Sequence, residues 1–310
     1  MDNRTRFYCW IIGKLEKRRM TFEEISDEWK ESNSNAYGEA LSLRTFHRYR
    51  DEIRSQFGLG IECDKKDGYR YYIERDNYVN NEITDWMLST LRLASLGDML
   101  KYHSKVILEQ PPRNSEYLDV ILGAIDKSYW LRFHYTPMWG DETDMELVPA
   151  FVRLFHQRWY IVGIKKDTDV ARVLPFDRID NLEVVCKKHN LPLETARRLA
   201  PEEFYADSFG IMKDESIEPM RIRIRAFYPE QYYIDEVPLH SSQRRVKTGE
   251  NDSYAEYELT VRPSHDFIQE LLWHGRKIVV LEPNSLKQDM INILKEMTIS
   301  YETGKDMVNE

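Results

Sequence analysis

Apolar residues recur along this chain with two different periods, and the changes of period mark out its parts. In "RTRFYCWIIGKLEK", Phe7, Ile11 and Leu15 recur at helical spacing. "TFEEISDEWKES" opens with Thr21 and Glu24, placed so that each side chain can cap the other's backbone amide, and Phe22, Ile25 and Trp29 form its inner stripe. A third helix is predicted in "SLRTFHRYRDEIRSQFG", with Ser42 as N-cap, Phe46, Tyr49, Ile53 and Phe57 on one face, and Gly58 as the stop. At about 100° per residue, Arg44, His47, Arg48 and Asp51 fall on the opposite face. "IECDKKDGYRYYIE" then alternates as two short strands around a turn ending in Asp67-Gly68, with Lys65 and Lys66 at its tip. The Ser, Asn and Gly of "SNSNAYGEA" mark a long loop between the second and third helices.

A helical pattern returns in "ITDWMLSTLRLASLGDMLKYHSKVI", with Trp86, Leu91 and Leu93 among polar residues, until Pro111 and Pro112 break it. After a helix from Tyr117, five short strands are predicted in "SYWLRFHY", "MELVPAFVRLF", "RWYIVGI", "ARVLPF" and "NLEVVCKK". Five strands in so few residues suggest a small, strongly bent sheet or barrel. From about Pro201 the order becomes strand, strand, helix, strand, helix, which suits a two-layer α+β sandwich. The strands are "MRIRIRAFY", "YAEYELTV" and "RKIVVLEP". The first helix, "SHDFIQELLWHG", is predicted to be capped by Ser264 and stopped by Gly275, and the closing helix carries Leu286, Met290, Ile293, Leu294 and Met297.

The fold class expected is therefore a multidomain α+β protein with boundaries at 1–75, 76–115, 116–200 and 201–310. Three helices followed by a hairpin is the order of a winged helix-turn-helix, in which the third helix offers side chains to base edges and the wing grips phosphate. The candidate DNA contacts are Ser42, Arg44, Thr45, His47, Arg48, Lys65 and Lys66. The competing reading is that Arg44 and Arg48 belong to an ordinary solvated helix face.

Charge modifies this picture without removing it. The net charge is −9, but residues 1–75 hold 15 lysines and arginines against 14 acids, leaving the deficit in the rest of the chain. A near-neutral N-terminal part can bind DNA if its cations share a face. The start, "MDNRTRFYCW", has no apolar signal core, and no run of about 18 apolar residues occurs, so a cytoplasmic location and no membrane partner are expected. Cys9, Cys63 and Cys186 lie too far apart for a zinc motif and suggest reduced thiols.

No GxGxxG, GxxxxGK[ST], GxSxG or HExxH is present, so no enzyme, cofactor or metal is expected. The contiguous "SHD" at Ser264 to Asp266 is not a triad, because triad members converge through the fold.

One stretch resists an easy assignment. "LVPAFVRLFHQRWYIVGIKK" is the most apolar and aromatic run, yet it contains Arg153, His156 and Arg158. This stretch, with "RTFHRYRDEI", "ARVLPFDRI" and "LLWHGRKIVVLEP" in order, resembles bacterial WYL-domain transcriptional regulators, over essentially all 310 residues. The signature here is Trp159-Tyr160-Ile161, with Ile where the family has Leu. Pro175 stands between Arg172 and Arg178, where relatives commonly have a further basic residue.

The resemblance implies a winged helix-turn-helix, an Sm-like β-barrel (the WYL domain) and a WCX extension. It implies a repressor that answers to a nucleotide or single-stranded nucleic-acid effector. Tyr135, Arg153, His156, Arg172 and Arg178 would converge on a basic concave surface, since guanidinium groups match phosphates and rings stack on bases. The competing reading pairs these arginines with Asp141, Asp144, Asp177 or Glu183 to tie strands together. Trp159 and Tyr160 are expected in the core. A homodimer on an inverted-repeat operator is expected, because one such module makes few contacts and symmetry doubles them. Arg221, Arg223 and Arg225 alternate on one strand, either as a second partner surface or as a solvated sheet face. The rival function is a ligand-sensing adaptor that works through protein contacts without sequence-specific DNA binding.

Overall fold

A computed structural model describes residues 2–35, 37–75, 85–86, 89–90 and 109–305. The chain divides into two units, Met1–Glu109 and Gln110–Glu310. Most of the helical connector expected over 76–115, including Leu91 and Leu93, lies outside the described residues.

The first unit is built from α1 (Asn3–Leu15), α2 (Phe22–Lys30), α3 (Leu43–Phe57) and an antiparallel hairpin of β1 (Leu59–Asp64) and β2 (Arg70–Arg75). Each helix begins on a side-chain cap. Asp2 accepts from the Thr5 amide, Thr21 and Glu24 form the reciprocal box, and Ser42 accepts from the Thr45 amide. Such caps contribute about 1 kcal/mol each. Gly58 closes α3 at φ +65°, where a side chain would be strained. The helical stripes meet in one core, with Phe7, Ile11, Ile25, Trp29, Phe46 and Ile53 all buried. The hairpin is stitched on by backbone hydrogen bonds in both directions between Met20 and Tyr71. Buried Asn35 organises the long loop, donating to the Trp29 and Glu39 carbonyls and accepting from the Glu39 amide and the Asn3 side chain.

The second unit opens with α4 (Tyr117–Lys127) and an antiparallel sheet of β3 (Tyr129–Tyr135), β4 (Thr143–Phe155), β5 (Arg158–Lys165), β6 (Ala171–Pro175) and β7 (Ile179–Lys188). These are the five predicted strands, ordered β6-β5-β4-β3-β7. The sheet buries both faces. Leu131, Phe133, Leu147, Ile161 and Leu174 pack with Ile121 and Ala124 of α4. Val148, Phe151, Val162 and Ile164 pack on the other side with Leu199, which caps the short helix α5 (Leu193–Arg198), and with Phe204 of α6 (Pro201–Phe204). Asn114 ties the approach to α4 onto the sheet by donating to the Phe176 and Ile179 carbonyls.

The C-terminal part contains β8 (Met220–Phe227), α7 (Glu230–Glu236), β9 (Arg244–Thr248), β10 (Tyr254–Val261), α8 (His265–Trp273), β11 (Ile278–Glu282) and α9 (Asn284–Thr303). Its four-stranded antiparallel sheet is ordered β11-β8-β10-β9. Ile222, Ile224, Tyr257 and Val261 face Ile234, Phe267, Leu271 and Leu286 of the helices. The predicted α+β order is extended here by α7 and by β9. Every residue of β9 is exposed, so no apolar alternation signals it.

Ser264 does occupy the N-cap position of α8, but its hydroxyl makes no capping bond and lies buried without a partner. Asp266 performs the tethering instead, accepting from the Ile211 and Met212 amides at 2.7 and 2.8 Å. Ser264 therefore holds the expected N-cap position without the expected side-chain bond, and Asp266 serves separately as a clamp on a distant loop.

His274, at the end of α8, joins two helices. Its Nδ1 lies 2.6 Å from Glu230 of α7 and its Nε2 lies 3.5 Å from Glu270. Glu270 foremost, opposed by burial and helped by Glu230, holds the imidazole above its ordinary value. A raised folded-state value stabilises the fold below the unfolded value of about 6.5 and loses that contribution as pH rises through the folded one. Thermal melting is therefore expected to show stability falling as pH is raised above about 6.5, and His274→Gln is expected to flatten this slope. An unchanged slope in the variant would remove His274 from the account.

Candidate functional site

The outer face of α3 carries the first set of candidates. Phe46, Ile53 and Phe57 bury one side, so Arg44 and Arg48 point to solvent. Ser42 and Thr45 are committed to capping, their hydroxyls 2.9 Å apart. Arg48 leans over the Tyr49 ring at 5.2 Å and lies 3.8 Å from Glu52, while His47 packs near Phe46. Arg44 makes no ion pair among the described residues. Lys65 and Lys66 sit exposed at the hairpin tip, where Asp64 accepts from the Lys66 amide and leaves both ammonium groups unpaired among the described residues. The α3 face and the hairpin tip of the first unit thus carry exposed cations, a kind of group that suits phosphate and base-edge contact.

The second set of candidates is distributed by strand alternation. Arg153 is opposite Tyr160, which is opposite Pro175, so these three share one sheet face. Arg172 stands three residues before Pro175 on β6 and therefore projects from the other face. Arg153 is sandwiched, with its guanidinium 3.9 Å from the Tyr205 ring and 5.5 Å from Phe155. One of its nitrogens is buried without a hydrogen-bond partner among the described residues. Burial, opposed by Arg153, pushes the Tyr205 hydroxyl up to about 12, so the pair meets as a neutral phenol and a cation.

His156 and Gln157 form the two-residue turn between β4 and β5, both at positive φ, with His156 exposed at the tip. From Arg158, beside that tip, to Gly163, opposite Arg172, is five residues, or roughly 16 Å of strand. Arg178 ends the turn before β7, where its carbonyl accepts from the Thr136 amide.

Tyr135 and Arg172 do come together. Both line a pocket of about 780 Å³ at the free side of edge strand β6, with Lys165, Arg198, Lys213 and the apolar floor of Met145, Leu174 and Phe204. Asp169, Asp214 and Glu215 are also in the wall, and Asp169 is paired with Arg198 at 3.1 Å. Lys213 is anchored by donating to the Phe204 carbonyl at 2.8 Å. Arg172 has no ion pair among the described residues. The five residues expected on one concave surface are thus split: Tyr135 and Arg172 in this pocket, Arg178 beyond its lining, Arg153 behind the sheet and His156 at a hairpin tip. The reason is the two-residue period of the strands, which sends nearby basic residues to opposite faces.

Tying strands together falls to other residues. Arg158 holds Asp177 through Nε and Nη2, both at 2.9 Å, and Arg132 holds Glu146 at 2.7 Å. Trp159 is partly buried over Phe176, Ile161 is fully buried, and Tyr160 lies on the opposite face. Lys165, Arg198 and Lys213 were not among the sequence candidates. Strand phase places Lys165 beside Arg172, but only folding brings residues 211–215 back against β6. Among the described residues no cluster of His, Cys, Asp and Glu is arranged to hold a metal, and no helix is long and apolar enough to cross a membrane.

Two family models match the chain: a WYL domain over residues 116–184 and a WCX domain over residues 218–298. No curated protein matches. Among solved structures, proteasome accessory factor B/C (PafBC) of Arthrobacter aurescens is 16% identical, with a TM-score of 0.39, over 95% of this chain and 46% of that one. The chain therefore spans less than half the length of that protein. A CRISPR Cas-related protein is 11% identical, with a TM-score of 0.39, over 96% of this chain and 85% of that one.

The two kinds of arginine make a stability test. Arg158→Ala is expected to cost roughly 1 kcal/mol by losing the Asp177 pair. Arg172→Ala is expected to change stability by less than about 0.5 kcal/mol. Urea midpoints of the two variants check the difference, and equal losses would show that Arg172 is structural as well.

Proposed function

We propose that the chain, which carries a WYL domain followed by a WCX domain, is a WYL-domain transcriptional regulator that binds operator DNA through the first unit and answers to an anionic effector through the second. In this reading residues 1–75 act as a winged helix-turn-helix. The observation that carries it is the outer face of α3, where Arg44, His47 and Arg48 stand opposite the buried stripe while Lys65 and Lys66 project from the hairpin tip. Helix side chains read base edges in the major groove, and lysines at a wing fix the register on phosphate. The regulator acts as a homodimer on an inverted repeat, since two-fold pairing doubles the contacts of a single small module.

The five-stranded domain is read as an Sm-like barrel that senses a nucleotide or a short single strand. Its support is the pocket with Arg172 and Lys165 in the wall and the Tyr135 ring beside them. A guanidinium without an ion pair among the described residues is available to a phosphate, and the partly buried Tyr135 ring lines the same pocket for a base. Binding there represses or releases the operator by favouring one arrangement of the DNA-binding parts, with a coupling of about 1–3 kcal/mol.

Anisotropy with DNA from upstream of the chain's own gene tests the first half. Arg48→Ala is expected to weaken specific binding by about 1–3 kcal/mol, and Lys65→Ala to weaken all sequences alike with a shallower salt dependence. Unaltered affinity in Arg44→Ala, Arg48→Ala and Lys65→Ala would favour the adaptor reading, which the net charge of −9 also suits.

Calorimetry with mononucleotides, cyclic nucleotides and short single strands tests the second half. Arg172→Ala combined with Lys165→Ala is expected to abolish effector binding and leave effector-free operator affinity unchanged. Normal effector binding by that variant would exclude this pocket as the sensor.

A further inference from the structure

The open face of the C-terminal sheet is arranged with its acids below and its cations above. On β8, Arg221, Arg223 and Arg225 alternate with Ile222, Ile224 and Ala226, so the isoleucines face the helices and the arginines face out. Glu256 and Glu258 of β10 lie between them and the basic edge strand β9. Arg223 and Arg225 reach Glu256 at 2.6 and 2.7 Å, with Lys247 at 3.8 Å. Arg221 and Arg244 share one oxygen of Glu258 at 2.5 and 3.0 Å.

The carboxylates are sunk, with side chains 3% and 14% exposed, whereas Arg221, Arg244 and Lys247 are 66%, 67% and 52% exposed. Burial works against ionisation of Glu256, but the hydrogen bonds from Arg225 and Arg223 hold its carboxyl below the usual range, so the floor stays charged. Glu282, opposite Arg223 at the end of β11, borders the face.

Five cations over one buried and one largely covered acid is more than strand pairing requires. Each guanidinium has five N–H donors, and two of them converging on one Glu258 oxygen leave most donors pointing to solvent. The pairs below pre-set the side chains, which lowers the entropy lost when an anion arrives. The geometry points to this face as a docking surface for an acidic protein segment in extended conformation. Same-face residues along a strand are roughly 6.7 Å apart, so carboxylates at alternate positions of such a segment match the spacing of Arg221, Arg223 and Arg225.

Charge complementarity selects an acidic partner, and the state of the aromatic ring argues against nucleic acid. Tyr254 lies beneath Arg225 at 4.2 Å and near Lys247 at 5.8 Å, so the ring face toward these cations is already occupied and offers no free stacking platform there.

The test uses the full chain and a labelled dodecapeptide of alternating Glu and Ser, followed by anisotropy at low and high salt. The Glu-to-Gln peptide and an oligothymidine of equal charge serve as comparisons. The Glu peptide is expected to bind, and Arg221→Gln with Arg244→Gln to weaken it at least tenfold. Glu258→Gln is expected to tighten it, because an anion leaves the floor. Lys247→Gln, an exposed single change, is expected to weaken it several-fold and keeps the test valid if the double variant melts early. Peptide binding that is absent, or that is indifferent to all of these changes, overturns the proposal. A preference for oligothymidine that is lost in the same variants also overturns it, in favour of a nucleic-acid surface.

Discussion

The five-stranded sheet must bury both of its faces, and much of the second unit follows from that requirement. One side packs on α4 and the other on Leu199, Phe204 and Tyr205. Strands buried on both sides read as nearly continuous apolar runs, which is why Leu147 to Lys166 is so apolar and aromatic. β4 and β5 also run close together. A Cβ on Gly163 would stand 2.2 Å from the Val148 carbonyl oxygen, so only glycine permits this approach beside the Pro149/Phe151 irregularity.

Basic residues inside such a run need individual accommodation, and each receives a different one. His156 is spent on a tight turn, where it never enters the sheet. Arg158 is neutralised by Asp177. Arg153 is stacked on an aromatic ring and, among the described residues, has no carboxylate partner and one nitrogen unsatisfied. A guanidinium tolerates this better than an ammonium, being planar and weakly hydrated. Arg172 escapes burial because β6 is the edge strand, and that same edge position opens the pocket beside it.

Local order was readable from the sequence wherever one rule dominated. The caps at Thr21 and Ser42, the stop at Gly58 and the five strands all express short-range spacing. The misses have a common cause in long-range folding. β9 has no apolar side to bury, and the bonds that Asp266 accepts from the Ile211 and Met212 amides join residues more than fifty apart in sequence. The pocket was half legible. Tyr135 and Arg172 came from the family resemblance, but Arg198 and Lys213 are delivered by a segment folding back, which leaves no local periodicity. Convergence of Arg153 with Arg172 failed because proximity in sequence says nothing about which face a strand residue takes.

What separates candidate binding residues from structural ones is therefore the use already made of their charge. Arg132, Arg158 and Arg262 each hold a carboxylate at under 3 Å. Such cations are held to the fold by one carboxylate each, whereas on the C-terminal sheet five cations share two acids and keep a net positive charge. Arg44, Lys65, Lys66 and Arg172 have no such partner among the described residues. In a chain of net charge −9, where acids outnumber bases, a cation left unpaired stands out against a background that would readily neutralise it. Long-range attraction to polyanions is weak for such a body at physiological salt, where the Debye length is about 8 Å. In the function proposed above, nucleic-acid contact rests on these few free groups at short range. That places the burden on the geometry of α3, the hairpin tip and the β6 pocket, not on overall charge.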